Sequence, residues 1–440
     1  MYSSIEMSEV ALPKEIAYTP VLPSLPADTI NTSVVVAPSN GASFTDGQII
    51  QIDLPASGFA DPNTLYCRYK LNVNQGGTPA AGTIRGTPAV MPFVKLEVLL
   101  GSQVIETIMN YNMVYNMVTN LQMNVAQKVG CVNLGYLNGN GQSIVQPLLD
   151  NVNGCTIAAS ATNTYSFAFP IMSLLSGAER LLPLFAMPNV RIQLTLDNSA
   201  NIITNSNIAN TTIAVSNVEL CFDKINFGAG VESMVQLMGA SQKLFIKSNS
   251  WATLSQLLPT SSSGTNELIY NARYASIRSL FTNFAGTNSS LCANGNFDSV
   301  DLTNNNGDMQ YFIAGKAYPD RSINTAQNKY GALMELKMAI NGGLHTLQAQ
   351  NMSITNREFN TIGTATTTTI YPAKFWFGVN CEKFSTGNAL LSGVSTQNSP
   401  VSLRINLGTA TGQGYNTTLI VLYDALIELD MPNRNAIVRQ

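Results

Sequence analysis

Two tandem eight-stranded jelly-roll β-sandwiches, with a short helix in each, are the all-β fold that this sequence predicts. Three observations carry that expectation. Apolar residues alternate with polar ones along much of the chain, the spacing turns helical once in each half, and the second half repeats the order of the first. At 440 residues the chain exceeds one ordinary core, so two units of about 200 residues each are the natural division.

The first 27 residues, MYSSIEMSEVALPKEIAYTPVLPSLPA, are punctuated by proline and show neither period. Residues 1–27 are therefore expected to form an extended arm, residues 28–238 a first jelly roll and residues 239–440 a second. In the first unit Ile50, Ile52 and Leu54 alternate, a Gly/Pro-rich turn follows, and Leu65, Cys67, Tyr69, Leu71 and Val73 alternate again. These are two strands with one buried face each. PFVKLEVLLGSQVIETI reads as a hairpin turning at Gly101-Ser102. The period then changes: Met109, Met113, Val114, Met117, Val118, Leu121 and Val125 fall three and four apart, the mark of one amphipathic helix.

A polar stretch over 129–163, with GYLNGNGQS inside it, is expected as a loop on a wet surface. From Tyr165 to Leu196 the chain is apolar on both sides of Ser176-Gly177, as two core strands require, and Glu179 and Arg180 mark where it surfaces between them. TTIAVSNVELCFDKINF closes the unit as a last strand.

The second half takes similar steps. SQKLFIKSNSW is strand-like, NELIYNARYASIRSLFTNF is a longer strand region, 283–310 is a polar Asn/Gly loop, and NKYGALMELKMAI is a short helix. Then Phe375-Trp376-Phe377 stands where Phe167-Ala168-Phe169 stood, Thr386-Gly387 where Ser176-Gly177 stood, and PVSLRINL where PNVRIQLTL stood. NTTLIVLYDALIEL completes the match with NTTIAVSNVELCFDKINF. One unit used twice is the simplest account.

Charged residues make up only 11% of the chain, where a soluble domain carries roughly 25%. Such a surface suits a protein that spends its life against copies of itself. The net charge of -3 and the lack of any Lys/Arg run speak against sequence-specific nucleic-acid binding. No uninterrupted apolar stretch reaches membrane-span length, and the opening MYSSIEMSEV has Glu6 and Glu9 where a signal peptide would be basic and then apolar. Cys67, Cys131, Cys155, Cys221, Cys292 and Cys381 are scattered, so reduced, buried thiols are expected.

No catalytic, cofactor-binding or metal site is assigned. His345 is the only histidine, without a nucleophile-elbow sequence beside it, and is expected in a loop or at a barrel edge. Glu97 with Glu106, or Glu428 with Asp430, could supply a glycosidase carboxylate pair, but solvent-facing strand edges show the same spacing. Asp298, Asp301, Asn305 and Asp308 offer oxygen ligands for Ca²⁺ yet miss the EF-hand spacing and read as turn residues. Asparagine acceptor patterns at 31, 210, 288, 351 and 416 carry little without a secretory signal.

The order of these pieces resembles the double jelly-roll major capsid proteins of the adenovirus and giant-virus lineage, of the virophage or polinton-like virus type. VKLEVLLGSQVIETI, the helix after it, the stretch from Tyr165 to Leu196 and VELCFDKINFGAGVESMV carry the likeness in the first half, where Glu232 would be the acidic residue near the barrel's end. FSTGNALLSGVSTQNSPVSLRINL carries it in the second. The family's frequent histidine after Leu-Pro-Leu is missing here, where Met187-Pro188-Asn189 stands, and the chain is shorter than many members.

The resemblance implies a structural protein and not an enzyme: a viral major capsid protein that self-assembles into pseudo-hexameric trimeric capsomers tiling the icosahedral shell of a DNA virus. It implies a place in the virion capsid, assembled inside the host cell. The implied partners are its own copies, in the homotrimer and in neighbouring capsomers, then penton and minor capsid or cement proteins. It leaves room for an underlying membrane. The alternative reading is a tandem β-sandwich carbohydrate-binding surface or spike protein, for which Trp251 and Trp376, the only tryptophans, are a meagre platform.

Overall fold

Eight strands in each half of the chain follow one another in the same order and pair in the same way. The computed structural model describes residues 29–84, 86–131, 155–205, 207–227, 229–241, 243–286, 299–303, 307–341, 352–354, 359, 374–383, 392–430 and 435–440. In the first half the strands are β1 (Ile30–Val36), β2 (Ile49–Asp53), β3 (Tyr66–Gln75), β4 (Phe93–Leu100), β5 (Gln103–Met109), β6 (Thr162–Pro170), β7 (Val190–Leu196) and β8 (Thr211–Asn226), with helix α1 (Tyr111–Gln122) between β5 and β6. Helix α2 (Ala229–Ser241) leads into the second half. There the strands are β9 (Leu244–Leu258), β10 (Gly264–Tyr270), β11 (Ile277–Gly286), β12 (Asp308–Ile313), β13 (Lys316–Ile323), β14 (Phe377–Asn380), β15 (Val401–Leu407) and β16 (Tyr415–Asp430). Helix α3 (Thr325–Asn341) again lies between the fifth and sixth.

In the first half β1-β8-β3-β6 form one sheet and β2-β7-β4-β5 the other; in the second half the sheets are β9-β16-β11-β14 and β10-β15-β12-β13. The first, eighth, third and sixth strands thus share a sheet in both halves, and the remaining four share its mate. Each half is an eight-stranded jelly roll. Short strands pad the edges of this frame, and among the described residues no ladder joins a strand of one half to a strand of the other.

Alternation fixes which face each strand buries. On β7, Val190, Ile192, Leu194 and Leu196 are buried while Arg191, Gln193 and Thr195 reach the surface in part. On β3, Cys67, Tyr69, Leu71 and Val73 point inward and Tyr66, Arg68 and Lys70 outward. Aromatic rings close the first core, with Phe93 lying 5.1 Å from Tyr69 and 5.3 Å from Phe169. Tyr311 stacked 5.0 Å from Phe377 does the same in the second. The β4–β5 hairpin turns at Gly101-Ser102 as expected. Gly101 takes φ 61°, the left-handed geometry that a type II′ turn asks of its first central residue.

Several expectations are corrected. The helix of the first half begins at Tyr111, not Met109, which ends β5, and it stops at Gln122; Val125 opens a separate short helix running to Gly130. It is also not amphipathic in the sense expected. Every residue of α1 except Val118 and Gln122 is buried, including Asn112, Asn116 and Asn120 one turn apart. The polar side of the helix is hydrogen-bonded inside the protein: Asn112 donates to the Met91 carbonyl, Asn120 to the Asn116 carbonyl, and Lys128 reaches Asn120 Oδ1 at 2.6 Å.

The region from Asn266 to Phe284 is two strands, β10 and β11, separated by residues 271–276. The loop expected over 129–163 is narrower, because residues 155–157 form a strand and β6 has begun at Thr162; the loop over 283–310 loses Asn283 to Gly286 to β11 and Asp308 to Gln310 to β12. Residues 132–154 and 287–298 lie outside the described residues, as do the arm, His345 and the Thr386-Gly387 turn.

Candidate functional site

The residues that could carry chemistry are tied up in structure. Glu97 and Glu106 do not share a cleft. Glu97 pairs with Lys95 at 2.9 Å and accepts from Thr107, the neighbour of Glu106 that alternation points to the opposite face. Glu106 is 2% exposed and accepts from the Leu174 amide and from the Ser250 hydroxyl. Burial pushes its carboxyl up to about 7, against the pull of those two donors.

Glu428 is buried and gripped by Lys243 on one oxygen and by Arg439 on the other, at 2.7 Å. The hydrogen bond from Lys243, and then that from Arg439, hold its carboxyl below the usual range, the wrong direction for a general acid. Asp301 accepts from the Thr303 amide and hydroxyl and faces Lys329 at 3.1 Å, so a lysine stands where a bound cation would. Asp308 sits on β12 opposite Asn406, while Asp298 and Asn305 lie outside the described residues. Trp251 and Trp376 are both buried, which removes them as sugar platforms. Cys67, Cys221 and Cys381 are buried and unbridged, and burial raises the Cys67 and Cys381 thiols, the latter to about 12.

What the chain does build is a seam between its two sandwiches. The first contributes β5, α1 and the turn from Leu174 to Glu179; the second contributes mainly β9. Glu179 donates its amide to the Lys247 carbonyl at 3.0 Å and pairs with the Lys247 ammonium at 3.1 Å. Ser248 donates to the Leu174 carbonyl at 2.5 Å, Ser250 to Glu106, and Thr253 to the Met109 carbonyl at 2.8 Å. Farther along, the Ser353 amide donates to the Asn120 carbonyl at 3.0 Å and Gln440 to the Ile105 carbonyl at 2.9 Å.

The greasy stretch around Ser176-Gly177 therefore has a second task beyond entering a core. It is docked on the other sandwich. A Cβ on Gly177 would sit 2.5 Å from the Asn249 carbonyl oxygen, so two backbones meet where only glycine fits. Gly177→Ala is expected to cost about 1–3 kcal/mol, read as a lower urea midpoint. An unchanged midpoint would mean that the backbones do not meet there.

Sequence reasoning missed this seam. Its signal, two buried serines two apart on the strand, is local, but the partners of Ser248 and Ser250 lie far away in the chain.

No protein-family model and no curated protein matches the sequence. Solved structures do match the fold. The Faustovirus major capsid protein superposes with a TM-score of 0.63 at 9% identity, over 94% of this chain and 92% of that one. A chain of the PBCV-1 virus capsid gives 0.57 at 9% identity, over 96% and 99%. A chain of the Sputnik virophage structure gives 0.57 at 12% identity, over 99% and 94%. At such identities the likeness is one of fold, and the fold read from the sequence, a double jelly roll, is borne out.

Proposed function

We propose that this chain is a viral major capsid protein that assembles as homotrimeric, pseudo-hexameric capsomers in the shell of an icosahedral DNA virus, with residues 28–238 and 239–440 as its two upright barrels. One observation carries the reading: the same eight-strand order is used twice in one chain, and the structures that match it end to end include a major capsid protein and chains from a capsid and a virophage particle. Its work is burial rather than chemistry. Obligate interfaces bury more than about 2,000 Å² and resemble a core cut in half. A chain with 11% charged residues gives up little ion hydration on entering such contacts. Contacts with neighbouring capsomers follow from the same reading, as do contacts with penton and minor capsid or cement proteins.

Light scattering after size exclusion tests it, with negative-stain images of the peak. The expected mass is that of three chains of 47.2 kDa, and the expected outline is hexagonal. A well-behaved single chain would sink the reading and leave the low charge without a reason.

A further inference from the structure

The pair of Asp301 with Lys329 is built less like a salt bridge than like a reaction site. The Asp301 side chain is 0% exposed and that of Lys329 14%. The pair of Lys95 with Glu97, by contrast, keeps 25% and 17% of its side chains in water. The Lys329 ammonium lies 3.1 Å from Asp301 Oδ2, yet that oxygen accepts no hydrogen bond. Two donors converge on the other oxygen instead. Oδ1 accepts from the Thr303 amide at 2.9 Å and from the Thr303 hydroxyl at 3.0 Å, and the Thr325 hydroxyl stands 2.9 Å from that of Thr303.

The backbone brings the lysine here against its own electrostatics. Asn328 leaves the helical region inside α3, at φ -135° and ψ 54°, and its side chain accepts from the Gly331 amide. The helix therefore restarts with Lys329 as its first residue, where a cation is least favoured. The Phe375 ring lies 5.9 Å from the Lys329 nitrogen and meets Phe359 at 5.1 Å, so aromatic surface borders the ammonium. Acyl transfer asks for these features together. Fixed donors stabilise the oxygen on which charge develops, and a nucleophile is held about 3–3.5 Å from the carbon it attacks.

We propose that Lys329 and Asp301 join through an isopeptide bond once the chain has folded, with no enzyme and no co-reactant. A proton passes from the ammonium to Oδ2, which removes two charges from a site with little water. The Lys329 Nζ then attacks Asp301 Cγ, and negative charge gathers on Oδ1 beneath the two Thr303 donors. As the Cγ–Oδ2 bond breaks, Oδ2 takes a second proton from the nitrogen and leaves as water. One carboxylate and one ammonium become one amide and one water, so atoms and charge balance. The bond staples α3 to the segment 299–303, which is itself tied to β11 by the Val300 amide on the Phe284 carbonyl and receives the Phe375 amide on the Ser299 carbonyl. This inference stands apart from the capsomer reading.

Mass spectrometry of the intact, unfolded chain is the test. Wild type is expected to be lighter than its sequence by one water, and Asp301→Ala and Lys329→Arg to show no such deficit. A succinimide elsewhere would also cost one water, so protease mapping locates the bond. Trypsin is expected not to cleave after Lys329 and to release a branched peptide that holds both residues. Wild type at its full sequence mass would overturn the proposal, as would a water lost elsewhere or a deficit that survives in Lys329→Arg. The wild-type mass decides by itself, whether or not the variants fold.

Discussion

Phe169→Ala is expected to lower the unfolding free energy by about 3–5 kcal/mol, among the largest effects of any single truncation in the first sandwich. The ring is fully buried on β6 and meets three others, Phe93 at 5.3 Å, Tyr115 at 6.0 Å and Tyr69 at 6.2 Å. Those partners belong to β4, α1 and β3, so one side chain joins both sheets and the helix that closes the seam. Removing it deletes edge-to-face aromatic contacts as well as apolar area, and it opens a cavity among rings that have little freedom to collapse. The consequence reaches assembly, because α1 loses its support and with it the face presented to the second sandwich. Urea unfolding of the variant beside wild type gives the number. A loss below about 1 kcal/mol would show that the cluster relaxes into the space and that the helix is held from elsewhere.

The strands that bury one face and wet the other could be read from the sequence, because a period of two survives only there. β2, β3, β4 and β7 are of that kind. β1 was not legible: none of its residues is buried, so core-facing alternation has nothing to act on. The β12–β13 hairpin was not legible: Met309, Tyr311 and Ile313 alternate, but the strand opens inside the loop expected over 283–310 and its turn is Ala314-Gly315. Both residues take positive φ, 51° and 77°, and alanine is a weak signal for a turn that favours asparagine or glycine. The seam was hidden for a different reason. Asn120 looks like part of a wet helix face until Ser353 of the second sandwich donates to its carbonyl, and the pairing of Glu106 with Ser250 joins residues 144 positions apart. A local period reports burial within one unit and says nothing about the surface that two units share.

That pairing makes the seam sensitive to pH. Glu106 has an unperturbed value of 4.5 and is pushed up to about 7 in the folded chain, by burial above all. A raised carboxyl binds its proton more tightly in the native state than in the unfolded one, so folding takes up a proton between those two values. The stability it contributes is therefore complete below pH 4.5, declines as pH rises, and is gone above about 7. The difference between those two values corresponds to roughly 3 kcal/mol. The groups around it are the Leu174 amide, the Ser250 hydroxyl and the buried phenol of Tyr423, whose own value the Glu106 charge helps to raise; the Lys247–Glu179 pair stands farther out on the same seam. Glu106→Gln keeps the shape and an acceptor for Leu174 while removing the titration. Urea midpoints for both proteins at intervals from pH 4 to pH 8 isolate the one group, since every other carboxyl contributes equally to the two curves. Wild type is expected to fall relative to the variant across that range, most steeply between pH 5 and pH 7. Parallel curves would mean that Glu106 stays ionised in the fold, and that its buried charge is met by more than the two hydrogen bonds seen here.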